Sequence, residues 1–254
     1  MGSEISKNYH VADQPSASGG NACLWRIYSA RSKATGDPVS VWVFNKSEDL
    51  RDVTDKAHKE RIMDILRREV KALKSMRHPS IVSVVETFEE ARGGGLAFVT
   101  ERVKCSLANA LGDMRHVTPS SPAAAAAAAA GALEAYEVAR GVASVAEALQ
   151  YVHAIARRLH LNLAPESLLI TPTGQWKLAG FGYSLELPRD GGDATACPHF
   201  HSGGGPLDGP WRLHPLLPFS SPEAVAPPGE ALVTPASDAF ALGALAFEAY
   251  AKRR

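Results

Sequence analysis

Residues with side chains able to do chemistry concentrate between Arg158 and Gly182. His160, Asn162, Glu166 and Ser167 stand close together, and Gly180-Phe181-Gly182 follows after Trp176-Lys177-Leu178-Ala179. Such a cluster could move protons or hold a metal, yet its members are poorly suited to either. Asn162 accepts a hydrogen bond but cannot take up a proton near neutral pH. Ser167 is a weak neutral ligand, and Gly180 has no ligand atom on its side chain. A second group, Cys197-Pro198-His199-Phe200-His201, contains metal-binding residue types. Pro198 constrains its geometry, no second Cys/His pair follows at zinc-ligand spacing, and His214 is isolated, so a solvated loop is the better reading. Neither a metal site nor a cofactor is expected.

The elements that must position these residues follow from periodicity. Strand-like runs cover Trp25–Ala30, Pro38–Phe44 and Leu96–Glu101. Gly19 and Gly20 precede the first of them and support a tight hairpin. Ile62, Ile65, Leu66, Val70 and Leu73 recur at helical spacing and predict a helix over Thr54–Met76. Val138, Val142, Val145, Leu149 and Val152 do the same for Glu134–Arg157. The second helix feeds directly into the Arg158–Ile170 cluster.

In this order and separation, the segments resemble a protein kinase. That family's catalytic loop reads H-R-D-L-x-x-x-N and its metal loop D-F-G. His160, Leu163, Pro165, Glu166, Phe181 and Gly182 agree with the pattern. Asn162 stands where the base Asp belongs, Ala164 where a phosphate-contacting Lys is usual, Ser167 at the metal-binding Asn and Gly180 at the metal-binding Asp. On the strand that resembles V-A-I-K, Ser40 matches the Ala and Trp42 falls on the phosphate-pairing Lys. Lys46 has the right parity but lies four residues on, about 13 Å along a strand. The resemblance places Gly19, Gly20, Ser40, Trp42, Thr100 and Glu101 around the nucleotide cleft. Glu69 fits the helix glutamate that would pair with the missing lysine, so a backbone group, a neighbouring Arg or water is expected as its partner.

Other matches are architectural. Arg77-His78-Pro79-Ser80-Ile81-Val82 resembles the entry to the fourth strand, with Arg92-Gly93-Gly94-Gly95 as a turn before the fifth. Ser106–Leu111 resembles the short helix after the hinge, and His153 is read as packed under the catalytic loop. Tyr183–Ser220 corresponds to the activation segment. Ser221-Pro222-Glu223 resembles A-P-E, and Ser237-Asp238 the S-D that starts a buried helix. Asp238 is expected to brace the catalytic-loop backbone, and His160, Phe181, Gly182, Glu69 and Glu223 to act structurally. The expected fold is α+β and bilobal. A β-rich N-lobe of about five antiparallel strands and one helix, residues 1–102, sits over a mainly helical C-lobe, residues 103–254. A low-complexity insertion at 112–133, with eight consecutive alanines, interrupts the C-lobe. Because the chain stops at Arg254, that lobe is expected to lack its last helices.

Composition narrows the role. The 254 residues carry 27 basic and 27 acidic side chains, so no electrostatic footprint for nucleic acid is visible. Three separated cysteines fit a reducing compartment rather than a disulfide framework. No run of apolar residues is long enough to span a membrane. Met1-Gly2 with Ser6 fits the short myristoylation pattern. A cytoplasmic protein is expected.

Losing one charged contact in phosphoryl transfer costs about two to four powers of ten in rate. Here the Lys, both metal ligands and the base are lost together, and the sequence holds no substitute cation or metal ligand. The chain is further similar to the SCY-like pseudokinases, on Leu159–Glu166, Gln175–Phe181, Ala17–Asn21, Leu96–Glu101 and Ser106–Gly112. That resemblance points to the coated-vesicle-associated branch. It implies a catalytically inactive scaffold in clathrin-dependent traffic between Golgi and endosomes, peripheral on those membranes. Clathrin and adaptor complexes would be its partners, although the tail that binds them is absent here. The competing expectation is an atypical serine/threonine kinase with weak ATP binding and slow transfer. On the first reading an adenine ring could still stack between the lobes.

Overall fold

A computed structural model of the chain describes residues 3–91, 95–117, 133–198, 212–226 and 232–252. Gly2, the turn at 92–94, the alanine run and the His199–His201 part of the candidate metal group lie outside those residues.

The N-lobe is built on an antiparallel sheet. Helix α1 (Ser3–Asn8) leads into β1 (Tyr9–Val11), followed by β2 (Ala17–Gly19), β3 (Trp25–Ser32) and β4 (Pro38–Phe44). A one-turn helix, α2 (Lys46–Asp49), and the long α3 (Lys56–Ser75) intervene before β5 (Val84–Ala91) and β6 (Gly95–Glu101). The sheet order is β1-β3-β4-β6-β5, with β2 also on β3. Both β1 and β2 pair with β3, at Tyr9↔Ser32 to Val11↔Ala30 and Ala17↔Ile27 to Gly19↔Trp25. They act as one edge strand interrupted around Pro15, which has no amide hydrogen for the ladder. The sheet is therefore five strands wide.

The helix over 56–75 begins two residues later than its hydrophobic pattern, because Asp55 caps it by accepting from the Ala57 amide at 2.9 Å. Its Ile62, Met63, Leu66 and Leu73 are buried against the sheet face that carries Trp25, Trp42 and Phe98. The opposite sheet face has its own small core, in which Ile5 and Tyr9 meet Val39, Val41 and Val99. The sequence reading did not assign the N-terminal helix and strand that supply this cover.

The C-lobe starts with β7 (Cys105–Ser106) and α4 (Leu107–Ala110), then the buried α5 (Ala135–Ala154). Helix α5 stops short of the predicted Arg157 because that residue takes φ of 50°, outside the helical region. Strands β8 (Arg158–Leu159), β9 (Leu168–Ile170), β10 (Trp176–Leu178) and β11 (Leu185–Glu186) carry the central loops. Strand β12 (Thr195–Ala196), helix α6 (Pro222–Val225), strand β13 (Leu232–Val233) and helix α7 (Pro235–Lys252) complete the described lobe. Helix α5 lies against β10 so closely that a β-carbon on Gly141 would stand 2.1 Å from the Trp176 ring. No helix among the described residues is long and apolar enough to cross a membrane.

Candidate functional site

The segment at 158–182 and helix α3 meet between the lobes. Helix α3 touches the turn at Phe181–Tyr183, where a β-carbon on Gly182 would come within 2.5 Å of Ile65 Cγ2. Beneath that turn, the Arg158–Ile170 segment is held by charge from below. Asp238, at the start of α7 and fully buried, accepts from the His160 amide at 2.8 Å and the Leu161 amide at 2.7 Å. His153 reaches up from α5 to the same carboxylate at 2.8 Å. Leu161 has φ of 56°, uncommon for a residue with a side chain, and the Asp238 bond stabilises it there. His160 is also fully buried, and burial lowers its pKa. Its Nε2 lies 2.7 Å from the Ala179 carbonyl while Nδ1 accepts from the Asn162 amide, an arrangement that fits a neutral ring. Phe181 packs edge-on to it with ring centroids 4.6 Å apart. Glu223 accepts from the Ser237 hydroxyl, one residue before Asp238.

The upper side of the loop is neutral and bonded to itself. Asn162 donates to the Gly180 carbonyl at 3.0 Å, and the Ser167 hydroxyl donates to the Asn162 carbonyl at 2.5 Å. Gly180 is left-handed, φ 76°, and a β-carbon there would lie 2.4 Å from Ser167 Oγ. Ala164 is buried and brings no polar side-chain atom to the loop. Across the cleft, Trp42 is fully buried, stacked on Phe98 at 5.0 Å, and donates through Nε1 to Thr100 Oγ1 at 2.9 Å. Ser40 binds the Val103 amide at 2.9 Å.

Glu69 has two partners. It accepts from the Trp25 indole at 3.0 Å and from the Gly180 amide at 2.9 Å. Of the partners expected for it, a backbone group is found; the side chain is fully buried rather than facing water, and the second donor is Trp25 rather than an Arg. Burial pushes the Glu69 carboxyl up to about 7, against the two hydrogen bonds that favour its charged form. Glu101 ends β6, next to Thr100. Its side chain turns away from Thr100's side of the strand, to Lys177 Nζ at 2.8 Å and the Ser83 amide at 2.9 Å.

The glycine hairpin is folded down onto the catalytic loop. The Gly20 amide donates to the Glu166 carbonyl at 2.8 Å, and the Ala22 amide to Glu166 Oε1 at 2.8 Å. Arg212 forms an ion pair with the same carboxylate, both side chains being almost wholly buried. The Ser18 amide donates to Asn109 Oδ1 at 3.0 Å. A β-carbon on Gly19 would sit 3.3 Å from Leu169 Cδ1 and 3.5 Å from Ile27 Cδ1. Roof and floor are thus in contact at the hairpin. The magnesium nucleotide used by the fold family does not fit these residues. The hairpin amides are already bonded, and the metal-ligand positions hold Ser167 and Gly180.

A protein kinase domain model matches residues 20–254. The chain belongs to the protein kinase domain family. It is similar to SCY1-like protein 2 of Mus musculus, 32% identical over 260 residues that cover all of this chain and 26% of the mouse protein. Human SCY1-like protein 2 is 34% identical over 186 residues, 73% of this chain and 19% of the human protein. The protein kinase-like protein SCY1 of Saccharomyces cerevisiae is 26% identical over 262 residues, 97% of this chain and 30% of the yeast protein. The chain spans about a fifth to a third of the length of these relatives.

Sequence reasoning missed Trp25, Arg212, Asn109 and the part played by Glu166. Trp25 had a usable signal: it is two residues before Ile27 and so shares the cleft-facing side of β3. The partners of Arg212 and Asn109 lie 46 and 91 residues away, in segments whose approach no local pattern encodes.

Proposed function

We propose that this chain is a catalytically inactive protein-kinase-like domain that works as a scaffold. By its resemblance to the SCY-like family, its setting is clathrin-dependent vesicle traffic between Golgi and endosomes. It would act there from the cytoplasmic side, peripheral on the membrane, with clathrin and adaptor complexes as partners. One observation carries the inactive reading: the positions that would bear charge in phosphoryl transfer hold neutral residues, three of them bonded by their side chains inside the protein. Trp42 is bonded to Thr100, Asn162 to Gly180, and Ser167 to Asn162. An unneutralised triphosphate entering this closed, apolar space would be strongly disfavoured. Isothermal titration of the unaltered chain with ATP, with and without magnesium, tests the reading. No binding, or weak binding that magnesium does not improve, is expected. Tight magnesium-dependent binding, or autophosphorylation abolished by Asn162→Ala, would establish a slow kinase instead. Co-precipitation with clathrin and adaptor subunits tests the setting.

A further inference from the structure

The hairpin between β2 and β3 has an unusual backbone. Gly20 takes φ of 68°, and Ala22 and Cys23 both take φ of 56°. The Cys23 and Leu24 amides are used inside the turn, on the Gly20 and Asn21 carbonyls, which leaves the Ala22 amide pointing out of it. Ala22 and Cys23 have β-carbons, so this geometry is uphill and needs something to hold it. What the Ala22 amide meets is a carboxylate of the chain itself. Glu166 Oε1 accepts the Ala22 amide at 2.8 Å, and the Glu166 carbonyl accepts the Gly20 amide at 2.8 Å. The guanidinium of Arg212 closes the arrangement from the opposite lobe, through Nη2 to the same Oε1. Glu166 and Arg212 are 3% and 2% exposed, so the pair is sealed from water.

We propose that the Ala22 amide and Arg212 form an anion-binding site whose resident is the Glu166 carboxylate, and that this resident latches the lobes shut. The inference rests on the inactive-scaffold reading and deepens it: the cleft is not empty for want of a ligand but occupied from within. The chemistry that fits is a compact oxyanion, a carboxylate or a phosphate, which accepts from a backbone amide and a guanidinium together. Arg212 lies between Gly182 and Ser221, and its guanidinium sets whether the latch holds. The buried thiol of Cys23, three residues from Gly20, reports on the hairpin. Burial pushes it up to about 11, which keeps it unreactive while the hairpin is closed.

Emptying the site tests the proposal. Glu166→Ala removes the resident and leaves Ala22 and Arg212 pointing at a vacancy. Inorganic phosphate or formate, added at constant ionic strength against chloride, is expected to raise the Tm of that variant. The rise should be about 2–4 °C at a few times the dissociation constant. The unaltered chain, Glu166→Gln, whose amide still fills the space, and Glu166→Ala/Arg212→Met should not respond. Cys23 alkylation, read by peptide mass, should be faster in Glu166→Ala and slowed again by phosphate. If Glu166→Ala is unfolded at the assay temperature, the same anions are expected to drive it to fold, read by circular dichroism. A variant that responds to phosphate no more than to chloride, folded or unfolded, overturns the proposal. So does an unaltered chain that responds equally. Failure of the inactive reading would show separately, as magnesium-dependent ATP binding by the unaltered chain.

Discussion

The lower and upper sides of the catalytic loop have opposite characters. Below, a fully buried aspartate collects His153, the His160 amide and the Leu161 amide. Above, Asn162, Ser167 and Gly180 bond to one another, and Trp42 closes the roof. The lower groups are needed for the loop to have a shape at all. The upper groups would be needed only for a reacting nucleotide. The contrast teaches that a fold can keep a charged brace beneath a loop whose upper face is neutral. Buried charge persists where it answers backbone amides that would otherwise lack partners.

Substitutions on each side sharpen that contrast. The largest effect is expected below the loop. Asp238→Ala leaves two buried amides and His153 without an acceptor and should cost about 3–5 kcal/mol in urea unfolding. An effect under about 1 kcal/mol would mean that the loop does not depend on this brace.

Next comes a restoration above the loop. Gly180→Asp returns the family's residue, yet it should destabilise. Its β-carbon would meet Ser167 Oγ at 2.4 Å in a left-handed conformation, for a cost of about 2–4 kcal/mol. No phosphoryl transfer should appear, because Ser167 and Asn162 remain neutral. A stable Gly180→Asp that binds magnesium would erase the distinction between the two sides.

Glu69 gives an effect of middle size. Trp25→Phe removes its indole donor and should cost about 1.5–3 kcal/mol. The pH dependence follows from a carboxyl raised from 4.5 to about 7 in the folded state. The folded chain binds this proton more tightly than the unfolded chain between those values. Stability from this group is therefore full below pH 4.5 and declines as pH rises through about 7. Denaturation of the unaltered chain and Glu69→Gln across that window should converge at low pH and separate towards neutrality. Parallel curves would show that Glu69 does not titrate there.

The smallest effect is expected at the rim, where Arg158 meets Glu186 at 3.0 Å with the Glu186 side chain 74% exposed. Glu186→Gln should change stability by about 0.5 kcal/mol or less. A larger loss would show that charge at the edge of the loop matters as much as charge beneath it.

Much of this arrangement could be read from residue order. The α3 and α5 helices follow from apolar spacing, and β4 from the alternation of Val39, Val41 and Val43 with Ser40, Trp42 and Phe44. The lost metal ligands were visible because Asn162, Ser167 and Gly180 sit inside segments that otherwise keep the pattern. The closure of the hairpin was not legible. It depends on Glu166 meeting Ala22 across 144 residues and Arg212 across 46, and on backbone angles at Ala22 and Cys23 that their side chains do not favour. The interrupted edge strand was missed for a related reason. Three-residue strands such as Tyr9–Val11 are too short to show a period, and only pairing with β3 defines them.

The placement of Asp238 also has a consequence for biogenesis. The ribosome makes it 78 residues after His160 and 85 after His153. While the chain is being synthesised, the catalytic loop emerges with its amides unanswered and its strained Leu161 unsupported. The N-lobe, whose sheet pairings and α3 are complete by Glu101, can settle first. The C-lobe must wait for α7 to emerge before the loop can close, and such long-range closure is slow. Until then the apolar side chains of α5 are left for chaperones to shield.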